Sequence, residues 1–181
     1  MVADISVYLA GPGVFRQDAA VWGSRLKTAC DIHGLVGLFP LDNALPALPD
    51  ERSKREWIFQ QNCTMISRSD LVFADMRAFR SASEPDSGTA FEVGFAFALG
   101  KPVWLWLSDV TADTPMYKRI PSAFKQQNSW MDNDNNAIED FGVPLNLMLW
   151  QAATGVIVAN SPELAIAELV KRARLPVLRH R

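Results

Sequence analysis

The chain has 181 residues, of which 49% are hydrophobic and 21% charged, a length and balance that suit one compact domain with a sizeable core. A formal net charge of −2 supplies no electrostatic drive toward nucleic-acid polymers or anionic membranes. No apolar run approaches the roughly 20 residues that span a bilayer, and Met1-Val2-Ala3-Asp4 lacks the basic and apolar regions of a signal peptide. Cys30 and Cys63 show no metal-ligand spacing and read as small core residues. The expected protein is a single domain over residues 1–181, cytoplasmic, with neither metal nor cofactor.

Strand-like and helix-like stretches alternate along the chain. Residues 5–10 read as a first strand, closed by Gly11-Pro12-Gly13. Residues 17–32 have the spacing of an amphipathic helix ended at Gly34. A short second strand over 35–39 stops at Pro40, and after a loop rich in Pro and Asp a helix is expected from about 52 to 68. A third strand follows over 70–75, then a helix over 88–99 and a fourth strand over 102–107, with Trp104 and Trp106 on one face. Residues 108–142 show no period and read as irregular, with a polar loop at Asp132-Asn133-Asp134-Asn135-Asn136. Residues 154–158 make a fifth strand, followed by a helix with Ser161 as N-cap and Pro162 at its first position. Trp57, Trp130 and Trp150 lie near helices or loops and are candidates for an oligomer interface.

Short apolar strands in βαβα order predict an α/β fold, a five-stranded parallel sheet covered by helices on both faces. Such sheets bind ligands beyond the carboxyl ends of their strands. Gly11-Pro12-Gly13, Leu41-Asp42-Asn43, Asp75 with its following loop, and Ser108 onward should therefore converge on one crevice.

Nucleotide motifs fit poorly. A dinucleotide fingerprint needs a third glycine at the helix opening, where Arg16-Gln17-Asp18 stand instead, and no Gly-Lys-Ser/Thr sequence occurs. His33 precedes a helix-ending glycine and His180 lies in a basic tail, so acid–base chemistry falls to carboxylates. Among these Glu92 stands out, a single acid in the small and apolar run from Gly88 to Gly100. A buried ionised carboxylate without a partner costs several kcal/mol or more, which gives Glu92 two readings: a functional acid, or a charge that reaches solvent at a helix end or pairs with an Arg. Asp86 is either a plain N-cap of the same helix or a second acid turned into the crevice. Two carboxylates in environments of different polarity are the equipment for cleaving a glycosidic bond.

Four stretches in order carry a family resemblance. They are Tyr8-Leu9-Ala10-Gly11-Pro12-Gly13-Val14-Phe15, Pro40-Leu41-Asp42-Asn43, Phe79-Arg80 ahead of Glu84-Pro85-Asp86-Ser87-Gly88-Thr89-Ala90-Phe91-Glu92-Val93-Gly94, and Phe141-Gly142-Val143-Pro144-Leu145-Asn146-Leu147-Met148-Leu149. Together they resemble nucleoside 2-deoxyribosyltransferases, nearest the branch of trypanosomatids and assorted bacteria. The resemblance implies a flavodoxin-like three-layer sandwich and exchange of the base on a 2′-deoxyribonucleoside. It implies Glu92 as the nucleophile of a covalent deoxyribosyl intermediate, Tyr8 as the hydroxyl that holds it, and Asp86 as the proton carrier for departing and arriving bases. It further implies Gly11, Phe15, Asp42, Asn62 and Gly88 as substrate-binding positions. Asn146 and Met148 would reach the sugar from a neighbouring subunit, Asn146 at the 5′-hydroxyl, which makes the protein a homo-oligomer. Its partners would be 2′-deoxyribonucleosides and free nucleobases.

Two departures stand out. Asn62 occupies a helix position where many members carry an Asp against the base, so it can exchange hydrogen bonds but not protons; the plain alternative is a solvated helix residue. The C-terminal Tyr of lactobacillus-type members has no counterpart, since the chain ends Leu178-Arg179-His180-Arg181 and its last Tyr is Tyr117. Phe15 has a core role as its alternative. For the whole protein the alternatives are a 2′-deoxynucleoside or 2′-deoxynucleoside 5′-phosphate N-hydrolase and a non-catalytic nucleoside-binding protein.

Overall fold

A computed structural model describes residues 5–108 and 110–175 of the protein; His180 and the rest of the chain end at 178–181 lie outside the described residues, as does the stretch 1–4. Eight strands and five α-helices follow in the order β1 (Ile5–Ala10), α1 (Ala19–Asp31), β2 (Leu35–Leu38), α2 (Glu51–Arg68), β3 (Leu71–Asp75), α3 (Ser87–Ala98), β4 (Val103–Leu107), β5 (Phe124–Gln126), β6 (Ser129–Met131), β7 (Ala137–Ile138), α4 (Leu147–Ala152), β8 (Gly155–Val158) and α5 (Pro162–Arg172). Five of the strands form one sheet in the order β2-β1-β3-β4-β8. Every pairing in it is parallel. This is the expected α/β architecture, with the order reversing between β1 and β3.

The sheet is apolar on both sides because each strand alternates between two cores. On one face Val7, Leu9, Phe73, Trp104, Trp106 and Ile157 meet Trp22, Leu26, Ala29 and Cys30 of α1 and Ile166, Leu169 and Val170 of α5. On the other, Tyr8, Ala10, Val72, Ala74, Val103, Leu105 and Leu107 meet Ile66 of α2, Val93 and Ala96 of α3, and Leu145. The tryptophans of β4 are therefore core, as their spacing predicts. Helix starts follow ordinary capping chemistry: Asp50, Asp86, Asn146 and Ser161 each accept from a backbone N–H in the first turn.

Two features depart from the sequence expectation. The stretch 108–142 is not wholly irregular: β5, β6 and β7 form a small antiparallel sheet. The polar Asp132–Asn136 stretch is its hairpin loop, in which Asp132 Oδ1 accepts from the Asp134 and Asn136 N–H groups at 2.9 Å each. Strands of two or three residues are too short to show alternation. Helix α4, six residues long, likewise covers too few turns for a helical period. Trp130 of β6 stacks on Tyr117 at 4.1 Å between centroids, so this candidate interface residue has a partner within the chain.

Edge strand β8 begins at a glycine for a steric reason. A Cβ on Gly155 would lie 2.4 Å from Cζ3 of the buried Trp104 ring. Gly155→Ala is expected to lower unfolding stability by about 2 kcal/mol through overpacking, read as a shifted urea midpoint; an unchanged midpoint would show that the ring swings aside.

Candidate active site

Strand alternation decides where Tyr8 goes. With Val7 and Leu9 turned to the α1/α5 side, Tyr8 points to the α2/α3 side and is fully buried, 0% exposed. Its hydroxyl needs a partner there, and finds one in Glu92, donating to Oε1 at 2.5 Å. Glu92 lies in the second turn of α3, six residues beyond the N-cap Asp86. Asp86 Oδ2 accepts from the Thr89 N–H at 2.8 Å and from Thr89 Oγ1 at 2.9 Å. Asp86 is thus the N-cap, with Oδ1 left without a hydrogen bond among the described residues.

Glu92 opens onto a cavity of about 310 Å³ between α2 and α3. Arg55, Ile58, Phe59, Asn62, Cys63 and Ile66 supply one wall and Gly88, Phe91 and Glu92 the other. The α2 residues recur at steps of three and four, which is one stripe of a helix. The cavity is of a size for a small molecule. Phe59 and Phe91, at 5.6 Å between centroids, stand half exposed at its rim. The buried Oδ1 of Asn62 has no hydrogen-bond partner among the described residues. An unmet buried acceptor costs about 1–3 kcal/mol, a cost found where a ligand or water completes the set. A Cβ at Gly88 would meet Asp86 Oδ2 at 3.0 Å, so the glycine keeps the acid and the cavity floor close together.

A hydrogen bond from Tyr8 and the positive end of α3 each favour an ionised Glu92, and burial opposes them. Burial raises the Glu92 pKa from its ordinary 4.5 to about 7, the Tyr8 hydrogen bond pulls it down, and the Asp86 charge pushes it up. Desolvation wins. Burial, and next the Glu92 charge, push the Tyr8 phenol far above its ordinary range, so it stays a donor. Cys63 lines the same cavity as Glu92 and is only partly buried, so it is not a core residue; burial raises its thiol pKa, with the Glu92 charge adding to it.

The remaining expected site residues do not gather at this cavity. Gly11, at φ 152°, makes room for Asp75: a Cβ there would sit 2.7 Å from Asp75 Cβ. Phe15 is 57% exposed, which excludes the core role, and stacks on Phe79 at 5.5 Å. Asp42 has both oxygens engaged, Oδ2 by the Phe39 N–H at 2.8 Å and Oδ1 by Lys27. The loop ends meet only in part, as Pro12, Asp75, Arg77 and Ser108 line a separate crevice of about 550 Å³ with Lys118 and Arg119. The single crevice expected from the topology is therefore two spaces, and Glu92 faces the one between the helices. Asn146 caps α4, its Oδ1 accepting from the Met148 N–H at 2.9 Å, and Met148 is 71% exposed. Arg55, Ile58, Phe59, Cys63, Ile66 and Phe91 were not anticipated as cavity walls; stepping by three and four from Asn62 along its helix reaches Ile58, Phe59 and Ile66 and then Arg55, with Cys63 beside Asn62.

A carboxylate with its pKa raised on folding stabilises the protein fully below about 4.5, and that contribution is lost as pH climbs to about 7. Glu92→Gln removes the loss while keeping an acceptor for Tyr8. The variant is expected to gain stability over the parent between those two pH values, by on the order of 3 kcal/mol above the upper one. Urea unfolding across that range checks this, and parallel curves for the two proteins would contradict it.

Comparison with known proteins assigns the chain to a family. Residues 7–148 match the family model described as nucleoside 2-deoxyribosyltransferase. An uncharacterised protein of Schizosaccharomyces pombe is 31% identical over 128 residues, covering 70% of this chain but 58% of its own length. The chain thus spans little more than half of that relative. A 2-deoxyribosyltransferase structure from Leishmania mexicana is 33% identical, with a TM-score of 0.68, over 92% of this chain and 97% of its own. A conserved protein of Enterococcus faecalis shares the fold at 22% identity and a TM-score of 0.59, over 94% of this chain and 99% of its own. The chain belongs to the nucleoside 2-deoxyribosyltransferase family.

Proposed function

We propose that the protein is a nucleoside 2-deoxyribosyltransferase that exchanges the base of 2′-deoxyribonucleosides through a covalent intermediate on Glu92, working as one domain over 1–181. The observation that carries this is the Tyr8–Glu92 pair at the wall of a small-molecule cavity, with Asp86 at the mouth of the same helix. Tyr8 occupies Oε1, which leaves Oε2 to attack C1′. The C1′–N bond breaks as the C1′–O bond forms, and the departing base takes its proton from Asp86. The incoming base reverses these steps and returns a proton to Asp86. Two inversions give net retention. Phe59 and Phe91 offer apolar rings to the flat base, and Asn62 offers its amide.

Base exchange has a direct assay: incubation with 2′-deoxyinosine and adenine should yield 2′-deoxyadenosine and hypoxanthine. Hypoxanthine with free deoxyribose alone would favour an N-hydrolase, and binding without turnover a nucleoside-binding protein. Glu92→Ala should abolish turnover. Because the ionised form attacks, kcat on a nitrophenyl 2-deoxyriboside, whose leaving group needs no proton from Asp86, should rise about tenfold per pH unit below about 7 and level off above it; a flat profile on that substrate would contradict the assignment.

The site is also proposed to be shared between copies of the chain. Asn146 and Met148 are absent from the walls of their own chain's Glu92 cavity, Met148 is largely exposed, and Phe59 and Phe91 leave an apolar rim half uncovered. A second copy would bring Asn146 and Met148 to that rim. Mixing inactive Glu92→Ala with inactive Asn146→Ala should then restore about one quarter of the parent activity, for random dimers with one intact site in each mixed pair. No recovery after denaturation and joint refolding would place Asn146 in the same chain's site or outside it.

A further inference from the structure

Asn146 is not held by its helix alone. Glu139, just beyond β7, reaches across eight residues so that Oε2 accepts from the Leu147 N–H at 2.8 Å, while Oε1 accepts from Asn146 Nδ2. With Asn146 Oδ1 accepting from the Met148 N–H, both ends of the amide are committed and its plane is fixed. The Arg119 guanidinium, donating to the Pro144 carbonyl, pins the other flank of the same turn. Of the amide's bonding capacity one N–H and one lone pair remain. A free hydroxyl, donor and acceptor at once, matches that pair.

A phosphate ester does not. It only accepts, and at neutral pH it carries about −1.5 to −2 charges. Glu139 forms no ion pair among the described residues, so a phosphate seated on Asn146 would face an unneutralised carboxylate across the width of one amide. Like charges at such separations repel strongly in a partly desolvated site.

We propose that Glu139 determines specificity at the 5′ end of the substrate: it orients the Asn146 amide for a free 5′-hydroxyl and bars a 5′-phosphate. This rests on the reading of Asn146 as the sugar-holding residue of a shared site. Glu139 acts through position and charge and takes no part in bond making. It also gives the small β5-β6-β7 sheet a purpose, as the mount that carries the carboxylate to the head of α4.

The test compares kcat/KM for 2′-deoxyinosine and 2′-deoxyinosine 5′-monophosphate, with adenine as acceptor, in the parent, Glu139→Gln, Glu139→Asp and Asn146→Ala proteins. The parent should favour the nucleoside. Glu139→Gln should narrow the nucleoside-to-nucleotide ratio by about tenfold or more, a change of about 1.4 kcal/mol. Glu139→Asp keeps the charge but shortens the reach, so it should lower kcat/KM on the nucleoside with the ratio held within about twofold. If Glu139→Gln does not fold, raising ionic strength to about 1 M, where the Debye length is about 3 Å, should narrow the ratio in the parent itself. Equal losses on both substrates in Glu139→Gln, or a salt-independent ratio where that variant does not fold, would overturn the proposal. Unchanged kcat/KM on the nucleoside in Asn146→Ala would instead remove the sugar-holding role, and the proposal with it. A parent inactive on both substrates would remove the transferase reading itself.

Discussion

The hydrogen bond from Tyr8 to Glu92 ties the sheet to the helix that carries the cavity. Each partner is costly alone. The phenol is fully buried on β1, where an unmet hydroxyl costs about 1–3 kcal/mol, and the carboxylate sits where burial raises its pKa. Paired, they satisfy each other and fix one carboxylate oxygen in place. The pairing needs β1 to be in register with β2 and β3, because a slip of one residue would turn Tyr8 into the α1/α5 core. The geometry of the candidate nucleophile is thus set by the hydrogen-bond ladder of the sheet.

Helix caps extend this coupling between fold and site. Asp86 uses one oxygen to cap α3 and has no hydrogen bond to the other among the described residues, while Asn146 uses its carbonyl to cap α4. A capping side chain has little freedom left, since moving it exposes an orphan backbone donor. Polar groups that the proposed site would use are therefore held still by bonds that the helices require anyway, which is preorganisation without added parts. Glu139 repeats the device one step further out by accepting both the Leu147 N–H and the Asn146 amide.

The main sheet and its helices were legible because their strands are apolar on both faces and their helices carry caps and terminal glycines, signals that survive in a single sequence. Glu92 was legible for the opposite reason, as a polar residue breaking an apolar pattern. The β5-β6-β7 sheet and α4 were not, since elements of two to six residues have no measurable period. Gly94 shows what residue size alone does not tell: among the described residues nothing lies within 4 Å of where its Cβ would be, so its helix position faces open space rather than the sheet. The sign of the Glu92 shift was also illegible, because it is a contest between burial and one hydrogen bond, and a sequence does not report how much water a side chain loses.

That contest bears on the proposed chemistry. Any cover that closes the cavity, whether substrate or a second copy of the chain, strips more water from Glu92 and strengthens the burial that already raises its pKa to about 7. In the ground state such a cover would favour the neutral acid, the form that does not attack. Positive charge building at C1′ during glycosidic cleavage acts in the opposite direction, because an oxocarbenium-like centre beside a desolvated carboxylate is attracted most where the surroundings screen least. In the proposed reaction, a carboxylate balanced near neutrality by burial and Tyr8 would be weakly stabilised as an anion before reaction and strongly stabilised as charge develops. That differential, rather than ground-state binding of the sugar, is what lowers a barrier.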